Sequence, residues 1–142
     1  MIGMIVTGHG HFAGGIQSAL EVIAGNPSDF AAVEFLEGES SEELEVKMEQ
    51  AITSLSNCSG ILFFTDLAGG SPFKVAVEKS LDKENMEVLA GTNIGMILDI
   101  YFARTQLDDV DLLVQKALET GKEQVIHYIY HERKEEIVTS GI

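Results

Sequence analysis

Two short stretches of this 142-residue sequence hold residue types that can move a small charged group. One is Thr7-Gly8-His9-Gly10-His11-Phe12, and the other is Thr65-Asp66-Leu67-Ala68-Gly69-Gly70-Ser71-Pro72. A neutral imidazole is a nucleophile when one ring nitrogen keeps its lone pair. A carboxylate on the other nitrogen fixes the tautomer and steadies the ring, which is work Asp66 could do for His9 or His11. Gly8 and Gly10 leave room for an incoming donor and admit backbone angles closed to other residues. Gly69, Gly70 and Ser71 lead into Pro72, a residue suited to a helix start. Free amides of Gly70 and Ser71 there, with the Ser71 hydroxyl, would cradle phosphate oxygens. Such a cradle needs no arginine, and Arg104 and Arg133 are the only arginines in the chain. The residues by themselves leave alternatives open. His11 fits the same crevice as His9, Asp66 could equally cap the turn before the helix, and Gly-Gly-Ser-Pro also punctuates ordinary turns.

These loops meet only if each leaves the carboxyl end of a strand at a point where strand order reverses. The rest of the chain supplies that arrangement. Apolar runs at Ile2–Val6, Ala31–Leu36, Gly60–Thr65, Met86–Ala90 and Gln124–Ile129 read as short strands, mostly buried on both faces. Helical patterns separate them. Ile16, Leu20 and Ile23 lie on one face of Ala13–Ala24, which Gly25-Asn26-Pro27 stops. Ser40 and Glu43 form a capping-box pattern ahead of an apolar face of Leu44, Met48, Ala51 and Leu55. Further helices are expected at Pro72 to about Leu81, at Ile94–Arg104, and at Asp111–Glu119, the last capped by Asp111 and ended by Gly121. Regular alternation of this kind implies right-handed crossovers. The expected fold is therefore α/β, a doubly wound, mainly parallel sheet in the order 2-1-3-4 with helices on both faces. Residues 1–142 read as one domain, without repeat or linker. The last run alternates polar with apolar residues, so an edge position, antiparallel pairing or exchange with a second subunit is open to it. His127 lies in that run and reads as structural, and His131 as a tail residue.

Composition narrows the function. There are 23 Asp plus Glu against 9 Lys plus Arg, a formal charge of −14. That argues against nucleic acid and against insertion at an anionic membrane surface, and it fits a basic-faced protein partner. No apolar run is long enough to cross a bilayer. The N-terminus reads as a first strand and not as a signal peptide, so a cytoplasmic protein is the simplest account. The single cysteine, Cys58, forms no internal disulfide and reads as a half-buried thiol near a helix end. No Walker motif is present, no dinucleotide fingerprint opens the first helix, and no loop gathers the carboxylates a metal site needs. Neither metal nor cofactor is expected.

With both loops quoted, the chain resembles the EIIA domain of the mannose family of the bacterial phosphoenolpyruvate-dependent sugar phosphotransferase system. The resemblance runs through Gly8-His9-Gly10, Phe35-Leu36-Glu37-Gly38-Glu39, Gly60-Ile61-Leu62-Phe63-Phe64-Thr65-Asp66 and Gly69-Gly70-Ser71-Pro72-Phe73. It continues through Val88-Leu89-Ala90-Gly91-Thr92-Asn93-Ile94 and Glu119-Thr120-Gly121-Lys122. It implies a phosphotransferase component in which His9 carries the phosphoryl group, Asp66 orients it and Ser71 contacts the phosphate; Gly10 and His11, by their place in the crevice, are accessory candidates. It also implies HPr as donor, an EIIB protein as acceptor, and a cytoplasmic homodimer exchanging a strand near the C-terminus. Because the sequence ends at Ile142, the acceptor is expected on a separate polypeptide. Two departures line the mouth of the crevice, where the best-known mannose member has Trp and this chain has His11 and Ala68.

Two other classes fit less of the sequence. A phosphoryl-donor subunit of a dihydroxyacetone kinase would also place a histidine after the first strand. A non-catalytic flavodoxin-like module would use His9 only as a ligand contact. A receiver domain is disfavoured because no acidic pair follows the first strand.

Overall fold

A computed structural model describes residues 1–132. The two most apolar runs form the centre of the sheet. β1 (Ile2–His9) is buried along its length until His9, and β3 (Gly60–Thr65) is buried throughout. β2 (Phe30–Phe35) pairs with β1, and β4 (Met86–Leu89) pairs with β3. All pairings are parallel, in the order β2-β1-β3-β4. This is the doubly wound arrangement expected from the alternating runs.

Alternation along the strands divides the core between two faces. Met4, Val6, Leu62 and Phe64 point toward α1 (Phe12–Ala24), α4 (Ile94–Ala103) and α5 (Val110–Glu123). Ile5, Ile61 and Phe63 point toward α2 (Ser41–Ser54) and α3 (Ser71–Ser80). Phe63 and Phe64 are fully buried, one on each face. Truncating either to alanine would cost about 3–5 kcal/mol. The capping box at α2 forms as expected: the Glu43 amide donates to Ser40 Oγ at 3.1 Å, and the Ser40 amide donates to Glu43 Oε1 at 2.9 Å. Leu44, Met48, Ala51 and Leu55 are all buried.

The C-terminal part departs from expectation twice. α5 is capped by Asp109, whose carboxylate accepts from the Leu112 amide at 3.1 Å, and not by Asp111, which lies inside the first turn. Gly121 does not end the helix, which continues to Glu123. A Cβ at Gly121 would sit 3.2 Å from Met96 Sδ, so the glycine marks close packing of α5 on α4. The second departure is the run Gln124–Ile129, expected as a strand. It pairs with no described strand and is exposed, His127 included, with Gln124 still in helical backbone at the end of α5. A strand needs a neighbouring edge, and alternation in sequence does not supply one.

At the end of the sheet away from His9, Arg104 closes the structure. Its guanidinium donates to the carbonyls of Ile2 (3.0 Å), Asp29 (2.7 Å) and Ser28, and it stacks over the Tyr101 ring at 4.5 Å. The side chain is buried, and that desolvation pulls its pKa down, while nearby Tyr101 and Asp29 oppose the shift. The network ties α4 to the amino ends of β1 and β2.

Candidate functional site

The register of the central strands decides where the chemistry-bearing loops meet. Thr7 of β1 lies opposite Thr65 of β3, so His9 and Asp66 emerge side by side at the carboxyl end of the sheet. β1 winds onward to β2 on one side while β3 lies on the other, which makes this the point where strand order reverses.

Asp66 is the hub. Its Oδ2 accepts from the His9 backbone amide and faces His9 Nδ1, each at 2.8 Å, and its Oδ1 accepts from the Leu67 amide at 2.7 Å. Burial alone would raise the pKa of this carboxyl, whose side chain is 14% exposed. The hydrogen bonds from the His9 amide, the His9 ring and the Leu67 amide outweigh that and hold it below the ordinary aspartate range. An ionised carboxylate has only acceptors, so the hydrogen between the two groups belongs to Nδ1. The neutral ring then keeps its lone pair on Nε2. A Cβ on Gly8 would lie 2.9 Å from Asp66 Cγ, so the carboxylate approaches because position 8 has no side chain.

The Nε2 edge of the ring faces α3. A Cβ at Gly70 would lie 2.7 Å from His9 Cε1 and 3.3 Å from Nε2, so glycine is what lets the imidazole rest against the helix start. Phe35 of β2 meets the ring from another side, edge-on at a centroid distance of 6.0 Å. Gly70 is the N-cap, Ser71 opens the helix, and Pro72 follows with no amide hydrogen to offer. The ladder of α3 begins only when the Lys74 amide donates to the Gly70 carbonyl at 2.9 Å. The amides of Ser71 and Phe73 precede it, and the positive end of the helix dipole lies with them. The Gly70 amide differs from expectation: it turns back to the Leu67 carbonyl at 3.3 Å. Gly10 adopts φ +57°, which lets the loop turn sharply after His9.

His9, Asp66, Gly70 and Ser71 are thus brought together, while His11 is not in contact with Asp66. Its Nδ1 lies 3.1 Å from Glu34 Oε2. Sequence reasoning passed over Glu34, and it quoted Phe35 only within the family motif and not as a neighbour of the His9 ring; both lie on β2. The signal for Glu34 was present, a single carboxylate interrupting the apolar run Ala31–Leu36.

A family model, EIIA-man, described as the fructose IIA component of the phosphotransferase system, matches residues 3–118. The chain belongs to this family. It is 36% identical over 124 residues to the mannose-specific EIIAB component of Escherichia coli, across 87% of this chain and 38% of that protein. It therefore spans under half the length of that curated relative. It is 31% identical over 113 residues to the fructose-specific EIIA component of Bacillus subtilis, across 80% of this chain and 77% of that one. The crystal structure of EIIA from Streptococcus agalactiae superposes with a TM-score of 0.82 at 33% identity, covering 89% of this chain and 97% of that one. In this EIIA-family chain no described helix is long and apolar enough to cross a membrane.

Proposed function

We propose that the chain is the phosphoryl carrier of a sugar phosphotransferase system, working in the cytoplasm through a single carrier domain of residues 1–142. The observation that carries this reading is the His9 ring: Nδ1 held by Asp66 at 2.8 Å, Nε2 turned toward the first turn of α3. Phosphorylated HPr is the donor. The Nε2 lone pair attacks phosphorus, the donor's P–N bond breaks, and its electron pair returns to the donor nitrogen. His9 keeps the hydrogen on Nδ1, so the phosphorylated ring is cationic and the Asp66 carboxylate stabilises it. The amides of Ser71 and Phe73 and the Ser71 hydroxyl hold the phosphoryl oxygens, and Gly10 leaves the approach open. The same displacement in reverse sense passes the group to a EIIB acceptor. Positioning does the catalytic work, and no cofactor enters the step.

A homodimer completes the reading. Val125, Ile126, Tyr128, Ile129 and Tyr130 are 59–80% exposed in the single chain. A run of that composition is costly to leave in water, and exchange onto a partner's sheet would cover it. Light scattering on the purified protein should give twice the chain mass.

The carrier reading is tested by incubating the protein with phosphoenolpyruvate, enzyme I and HPr and measuring intact mass. The expected result is one acid-labile phosphoryl adduct that His9→Ala abolishes and His11→Ala retains. No adduct on the wild-type chain, with the other components shown active, would overturn the proposal.

A further inference from the structure

A second imidazole is pinned beside the first. His11 occupies the N-cap position of α1, yet its side chain makes no capping bond. It is held instead by Glu34 of β2, with Nδ1 and Oε2 3.1 Å apart. The Glu34 carboxylate lies directly over Gly14 in the first turns of α1, where an added Cβ would collide with Oε2. Two segments, with His11 and Glu34 23 residues apart in sequence, therefore agree on one arrangement: the loop after β1 where it runs into α1, and the edge strand β2.

Stability is a weak reason for it. The His11 side chain is 82% exposed. An exposed hydrogen bond returns only about 0.5–1.5 kcal/mol, much of it offset by the freedom lost in fixing both side chains. Location suggests another purpose. Phosphoryl transfer at His9 requires a second protein to bring its own phosphoryl-bearing side chain to Nε2. A specific docking face covers about 800 Å² per partner, so His11, two residues from His9 on the same loop, falls inside it. A Glu34 carboxylate can only accept, so in the neutral ring the hydrogen sits on Nδ1 and the lone pair on Nε2 of this exposed side chain. The Glu34 carboxylate and a chain charge of −14 favour a cationic or N–H-bearing surface opposite.

We propose that His11, oriented by Glu34, is a partner-recognition residue that accepts a hydrogen bond from a basic, N–H-donating face of the phosphoryl-donor protein. The proposal rests on the carrier reading above and assigns His11 a contact with protein, not with the phosphoryl group. The test is the initial rate of phosphoryl transfer from phosphorylated HPr as a function of HPr concentration, for wild type, His11→Ala, His11→Gln, Glu34→Gln and the double variant His11→Ala/Glu34→Gln. His11→Ala should raise KM about tenfold with kcat within twofold, the effect of one lost interfacial hydrogen bond near a charge. His11→Gln, which keeps an acceptor near the position of Nε2, should recover most of that. Glu34→Gln should raise KM less, and the double variant should be no worse than His11→Ala, since the two residues act as one unit. An unchanged KM in His11→Ala, or a fall in kcat alone, would overturn the proposal while leaving His9 phosphorylation intact. Absence of any wild-type adduct would instead remove the carrier reading on which it stands.

Discussion

Within three residues the chain holds two imidazoles, each with Nδ1 against a carboxylate and each beside a glycine that makes the space. The likeness ends there. Asp66 accepts three hydrogen bonds, from the His9 amide, the His9 ring and the Leu67 amide. Glu34 accepts one among the described residues, from His11. The His9 side chain is 46% exposed and rests between Phe35 and the start of α3, whereas the His11 ring stands out at the rim. A histidine–carboxylate pair is therefore not by itself a phosphoryl site. What separates the two is the helix start beside Nε2, with amides that a developing phosphate can use and a dipole of the right sign.

The sharpest way to break this comparison is to neutralise each carboxylate in turn. Asp66→Asn removes the charge that fixes the tautomer and stabilises the cationic phosphoimidazole. Transfer from phosphorylated HPr should slow roughly 100-fold, within the span that a positioned acid–base partner contributes. Glu34→Gln should leave kcat within twofold. Equal losses of kcat in both variants, read by quenched-flow transfer assays, would mean that the two pairs do the same job.

The glycines give a smaller, matching contrast. At Gly70 the new methyl would sit 2.7 Å from a ring carbon of His9, so the imidazole must swing off the amides or tilt away from Asp66. Gly70→Ala should lower the transfer rate about tenfold, a modest share of what correct orientation provides. Position 70 has an extended φ of −75°, so the backbone itself tolerates alanine and the melting temperature should hold within a few degrees. At Gly14 the obstacle is only the end of a glutamate side chain, which can move. Gly14→Ala should therefore leave kcat unchanged and cost at most what the Glu34 contact contributes to KM.

How far the sequence led can be argued from the same residues. β1 and β3 were legible because strands buried on both faces are apolar without interruption, and α2 because Ser40, Glu43 and its buried face agree. The crevice followed from topology: once β1 lies between β2 and β3, the His9 and Asp66 loops must be neighbours. Choosing His9 over His11 did not follow from residue type, and came from the family resemblance. The pairing of His11 with Glu34 was not legible, since it depends on a rotamer crossing between strand and loop. Asp108, Asp109 and Asp111 offer nearly the same cap signal, and the carboxylate that reaches the Leu112 amide is fixed by how α5 packs. Gly121 read as a stop because glycine often ends helices; here it admits Met96. Arg104 gave no sign of burial, because its partners are backbone carbonyls, which sequence does not distinguish. The run Gln124–Ile129 has the alternation of a strand, but in the described chain no edge receives it.

The saturation of Asp66 leaves one further, fainter trace, in acid. Its folded pKa lies below the unfolded value of about 3.9. A group depressed in this way adds stability that is fully present above its unfolded pKa and is lost as pH falls through the folded one. Wild type should therefore exceed Asp66→Asn in stability by more at pH 5 than at pH 3, as read by urea unfolding at both. Glu39 and Asp108 are also depressed, Glu39 by the Leu36 amide and Lys47, Asp108 by the Ser59 hydroxyl. Both proteins share those two groups, so their contribution cancels in the difference and what remains belongs to Asp66. A gap that stayed constant between the two pH values would mean that the hydrogen bonds around Asp66 do not favour its charged form. The assignment of the hydrogen to His9 Nδ1, and with it the choice of Nε2 as the attacking nitrogen, would then lose its physical basis.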